Sequence, residues 1–101
     1  MAVLAPNINL IIWVHDWTLE QAESAGTNEY FIKKNTLSFI LPLGAEYQEE
    51  AGSHTLFARV QKILYNADTN EIDISLKIRR SKIDEAISVL KEKWAQGSPS
   101  D

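Results

Sequence analysis

Two histidines, a serine beside one of them and a cluster of basic residues are the side chains of this 101-residue chain best able to do chemistry. His15 is followed by Asp16 near the end of an apolar run. A histidine oriented by a carboxylate can act as a general base. Adjacent residues of a strand point to opposite faces, however, so Asp16 is badly placed to orient His15. His15 is therefore expected to be structural, packed beside Trp13 and Trp17 or at the rim of a sheet. His54 follows Glu50 by four residues, with Glu46 and Glu49 nearby. On a helix that spacing can share a metal ion. Gly52 lies between them and points to a loop, and two further ligands would have to come from elsewhere, so no metal site is expected. Ser53, His54 and Asp68 supply the residue types of a hydrolytic triad, without the elbow or oxyanion loop that would make them one. The four glycines are isolated and give no phosphate-binding loop. No cofactor is expected, and a small hydrolase or nuclease using His15 or His54 is the last of three functional readings.

The basic residues form a clearer pattern once the elements that carry them are placed. Glu71 to Arg79 alternates apolar at even positions with polar at odd ones, the period of a strand with one buried face. Leu56 to Tyr65 is β-rich, and Asn66-Ala67-Asp68-Thr69-Asn70 is turn chemistry, so the stretch reads as a β-hairpin. Matching the apolar faces opposes even to even. Leu64–Ile72, Lys62–Ile74, Val60–Leu76 and Ala58–Ile78 then face the core, with Lys62 as the misfit. Tyr65–Glu71, Ile63–Asp73, Gln61–Ser75, Arg59–Lys77 and Phe57–Arg79 face outward. Arg59, Lys77 and Arg79 share that outer face with Phe57, and Arg80 follows. Like charges directly opposed, as Arg59 and Lys77 would be, are unfavourable unless something anionic sits nearby. Cations beside an aromatic ring could bind RNA or single-stranded DNA through Arg59, Lys77, Arg79 and Arg80. The competing reading is that these side chains solvate an exposed sheet and pair with Glu71 and Asp73.

The aromatic residues supply the leading reading. Trp94 falls on a helical apolar stripe and is expected in the core. Trp13, Trp17, Phe57 and Tyr65 cannot all be placed inside so small a domain. Together with Ile63 they suggest a partner surface on the outer face of the sheet, with a second copy of the chain or another protein as the partner. The function first expected is thus a small non-enzymatic protein-interaction module that self-associates. Nucleic-acid binding is the alternative.

The remaining elements follow in chain order. Ile8 to His15 reads as a strand apolar on both faces. Thr18 to Ala25 reads as a short helix, with Thr18 and Gln21 as a capping box and Gly26 as its stop. Tyr30–Ile32 and Leu37–Leu41 read as a tight hairpin broken at Lys33-Lys34-Asn35, and acidic Gly44 to Ser53 as a loop. Ser81 is the expected N-cap of a C-terminal helix whose stripe is Ile83, Ala86, Ile87, Leu90 and Trp94. The expected fold is α+β: a curved, mainly antiparallel sheet of about five strands, or a partly closed barrel, packed by that helix, with a short helix after strand 1. Residues 1–96 would form one domain and 97–101 a disordered tail.

Composition bounds the rest. The chain has no cysteine, which removes disulfides and thiolate chemistry. Met1 to Pro6 has no basic residue before its short apolar run, unlike a signal peptide, and no apolar run is long enough to span a bilayer. No membrane partner and a cytoplasmic location are expected. Net charge is −4, split unevenly: residues 1–50 hold seven acids against two bases, residues 51–101 seven against eight. The overall sign argues against indiscriminate nucleic-acid binding, and the acidic first half would suit a basic partner.

Overall fold

The computed structural model describes residues 6–15, 17–26, 29–34 and 37–97. Asp16, Asn35 and residues 98–101 lie outside the described residues, and with them the His15–Asp16 pairing and most of the expected tail. The strands are β1 (Asn7–Trp13), β2 (Tyr30–Lys33), β3 (Glu46–Ala51), β4 (His54–Asn66), β5 (Glu71–Ile78) and β6 (Ala95–Gly97), and the helices are α1 (Leu19–Ala25) and α2 (Ile83–Lys93). The strands form one sheet in the order β3-β4-β5-β1-β2-β6. All neighbours are antiparallel except β1 and β5. The fold is the expected α+β class, with a curled mixed sheet of six strands rather than about five.

Alternation sorts the side chains. Ile8, Leu10, Ile12, Val14, Ile72, Ile74, Leu76 and Ile78 are buried on the inner face in one core cluster with the apolar side of α2, whose backbone lies nearest β4 and β3. Helix α2 buries Ile83, Ala86, Ile87, Val89 and Leu90, and Trp94 at its C-terminal end is buried with them. Fully burying each such side chain contributes about 1.5–3 kcal/mol, so this layer dominates the fold's stability. Helix α1 is built as the sequence predicts. Thr18 and Gln21 close a capping box, and Gly26 takes the left-handed conformation that a side chain would disfavour.

Four local expectations are corrected. The segment Leu37–Leu41 is not a strand. The acidic stretch expected to loop is instead β3, an edge strand paired with β4 from Glu46↔Arg59 to Ala51↔His54. Its alternation is real: Tyr47, Glu49 and Ala51 turn inward while Glu46, Gln48 and Glu50 turn out, but a carboxylate at an inward position hides it. Ser81 does not cap α2, because Arg80–Lys82 form a 3-10 turn that leads into the helix. Gly97, expected to open the tail, pairs with Tyr30 in β6.

The hairpin register holds at one end and slips at the other. Ala58↔Ile78, Arg59↔Lys77 and Val60↔Leu76 pair as expected. A bulge at Gln61 then sets Lys62 against Ser75, Ile63 against Ile74, Leu64 against Asp73 and Tyr65 against Ile72. The extra residue turns Lys62 outward, which removes the one polar misfit from the core face. It also carries Leu64 outward, where it is 52% exposed, and brings Ile63 inward against the core. The hairpin tip is held by Asn66, whose Oδ1 accepts from the backbone of Asp68 at 3.0 Å, and by Asn70 at φ 55°.

Candidate functional site

The histidine chemistry is dispersed by the fold. Glu50 pairs with Thr55 on the outer face and His54 with Ala51 on the inner one, so the spacing that a helix would converge is split across a hairpin. Glu49 is engaged elsewhere and Glu46 accepts from Arg59. No group of three or more metal-ligating residues gathers among the described residues. Ser53 and His54 sit at one end of β4 and Asp68 beyond the other, separated by a 13-residue strand. At ~3.3 Å per residue that is about 40 Å, far beyond triad geometry. His15 is exposed in the turn after β1, its ring tilted against Trp13 at 6.3 Å.

The basic residues are gathered instead. Arg59 and Lys77 face each other on the outer side of β4 and β5. Two residues away on β4, Phe57 stands beside Arg79, which follows the end of β5: Arg79 donates its backbone N–H to Phe57 O and holds its guanidinium 5.7 Å from the Phe57 ring. Phe57, Arg59, Lys77, Arg79 and Arg80 line one groove of about 700 Å³. A smaller crevice of about 40 Å³ adjoins it, lined by Trp13, His15 and Trp17 among others and sharing Gln61, Lys77, Ile78 and Arg80 with the groove. Gln61, the bulged residue, lines both recesses. All four cations are exposed, and among the described residues Glu46 is the acid lining the groove with them, its Oε1 3.2 Å from Arg59 Nη2.

The five residues expected to form one docking patch do not share a surface. Trp13, 39% exposed and 4.9 Å from the Tyr30 ring, lies with Phe57 on the outer face. Trp17 is half-buried in the crevice. Ile63 and Tyr65 have been turned to the inner side by the bulge, and Tyr65 donates its hydroxyl to Asn70 Oδ1 at the hairpin tip.

A second polar constellation sits inside the curl and was not anticipated. Lys33 of β2 forms an ion pair with Glu49 of β3. These strands stand at nearly opposite ends of the sheet, so the pair bridges the curl. Glu49 Oε1 also accepts from Trp94 Nε1 at 2.9 Å and from the Tyr47 hydroxyl at 3.1 Å. Burial alone would raise the Glu49 carboxyl. The Lys33 ammonium and the Trp94 and Tyr47 donors outweigh it and hold that carboxyl below its ordinary value. The Tyr47 hydroxyl is pushed well up, first by burial and then by the adjacent Glu49 charge. With every donor on this carboxylate engaged, the cluster is a clamp rather than a reactive site.

A third polar contact pins the parallel pair. Asn9, 2% exposed, donates to Glu71 at 2.8 Å and Asp73 at 3.0 Å. Asn9 and Thr69 together hold the Glu71 carboxyl below its usual range. No family model, curated protein or solved structure matches the chain. No described helix is long and apolar enough to cross a membrane.

Proposed function

We propose that this protein is a non-enzymatic binding module that holds an anionic partner on the outer face of its sheet. The observation that carries the reading is the convergence of Arg59, Lys77, Arg79 and Arg80 on one groove beside Phe57. Four cations gathered on one groove, with Glu46 as the carboxylate beside them among the described residues, form a local positive field that attracts an anion. The overall charge of −4 limits this attraction to the groove and so favours selective over indiscriminate binding.

Self-association is the neighbouring reading, supported by the outward placement of Trp13 and Phe57. A two-fold dimer centred on this groove sets the cations of one copy against those of the other. The partner is therefore taken to be a different molecule.

The test is retention on an immobilised polyanion such as heparin, eluted by salt. The protein should bind at low ionic strength, and Arg59→Glu and Arg79→Glu should each elute earlier with unchanged circular dichroism. Absence of retention at low salt overturns the reading. A stable dimer by sedimentation, dissolved by Phe57→Glu, replaces it with self-association.

A further inference from the structure

We infer that the anionic ligand is a single-stranded nucleic acid lying across the strands, its phosphates on the cations and its bases on the flanking aromatic rings. The inference rests on the anion-binding reading and names the ligand class. Registers place one rank of outward side chains across the sheet. Tyr30 pairs with Trp13, Lys77 with Arg59, and Arg59 with Glu46. Trp13 follows the Ile12↔Leu76 pair by one residue, which brings it level with Lys77, and the two line the same crevice. The rank thus runs Tyr30, Trp13, Lys77, Arg59, Glu46 over five neighbouring strands. At ~4.8 Å between strands it is about 19 Å long. A second rank, Phe57 with Arg79, lies beside it on β4 and toward the Arg80 turn.

The order of chemistries is what selects the ligand. Rings stand at the β1–β2 side, cations in the middle, and a further ring at Phe57. Bases stack on aromatic faces whatever their sequence, while cations track the phosphates. An acidic peptide would use the cations and leave the rings without a role. A duplex keeps its bases stacked inside and cannot offer them to Trp13 or Phe57. Only an unpaired strand uses both sets. The length of the rank fits a site at the short end of the ~4–16 nucleotides that one small domain covers.

The experiment is fluorescence titration of the intact chain with an oligothymidylate of about ten nucleotides, its duplex with oligoadenylate, and polyglutamate of similar charge. Trp13 and Trp17 at the crevice provide the signal. The single strand should bind best, with a log affinity against log salt slope of about −3 if four cations meet phosphates. Arg59→Ala should reduce that slope by about 0.7. Trp13→Ala should weaken binding about 5- to 150-fold with little change of slope, since stacking releases no counterions. Trp13→Phe, which keeps a ring, should recover most of the loss and guards against misfolding as the cause. Equal binding of polyglutamate, or a Trp13→Ala affinity equal to wild type, overturns the nucleic-acid inference and leaves the anion site standing. No binding of any polyanion at low salt removes both.

Discussion

The inner clamp and the outer groove are made from the same parts: carboxylate, cation and aromatic ring. Their surroundings separate them. In the clamp, Glu49 meets Lys33, Trp94 and Tyr47 with little water, its side chain 11% exposed. In the groove, Arg59 and Glu46 meet at 3.2 Å with both side chains about two-thirds exposed, 66% and 67%. A partly buried carboxylate cannot lose its partners without leaving donors unsatisfied, so the clamp is structural. An exposed pair gives up its contact at little cost, so the groove can exchange one anion for another. Enclosure, and not residue type, separates the constellation that holds the fold from the one proposed to bind.

The largest effect expected from this contrast is that of Trp94→Ala. It empties a buried ring volume and removes a donor from Glu49, and should lower unfolding free energy by about 3–5 kcal/mol in urea denaturation. Oligonucleotide affinity of the protein that remains folded should not change. A loss of affinity in that folded fraction would show that clamp and groove are coupled.

Glu49→Gln comes next. It keeps the shape, removes the charge opposite Lys33, and should cost about 1–3 kcal/mol near neutral pH. Its sign with pH is fixed by the carboxyl being held below its ordinary 4.5. The clamp's contribution is complete above that pH and is lost as pH falls through the lower folded-state value. Wild type and Glu49→Gln should therefore converge in acid, and parallel curves would count against the clamp. Glu71 titrates in the same direction in both proteins, so the difference isolates Glu49.

How legible each region was follows from the same contrast. The outer groove was readable because its residues obey a simple rule: odd positions from Phe57 to Arg59 and from Lys77 to Arg79 turn outward, and burial of Ile74, Leu76 and Ile78 enforces it. The clamp was not, because Lys33 and Glu49 sit where polarity usually means a turn or a loop. Only contacts between strands far apart in the sheet give those positions a reason, and no local pattern encodes such closure. The bulge is intermediate. Lys62 on the apolar face was a visible violation, and one inserted residue resolves it, but the sequence does not say which residue is extra. Deleting Gln61 should leave both halves of β4 with their present faces and restore a regular ladder. Stability should change by no more than ~1 kcal/mol, while the join between groove and crevice loses its polar side chain. Collapse of cooperative unfolding in that deletion would show that the bulge itself is needed.

The smallest effect belongs to Glu46→Gln, and it sharpens the comparison from the other side. Glu46 is the edge-strand carboxylate that closes the outer rank against Arg59. Removing its charge should alter stability by about 0.5 kcal/mol or less, because both partners stand in water. It should at the same time tighten binding of the single strand, since a phosphate no longer competes with the carboxylate for the guanidinium. The gain should be modest, severalfold at low salt, and should shrink as salt rises and screens the interaction. Glu49→Gln, three residues away on the same strand but facing inward, should do the reverse, lowering stability without improving affinity. If the two substitutions behave alike, the division between an enclosed clamp and an open groove does not describe this molecule.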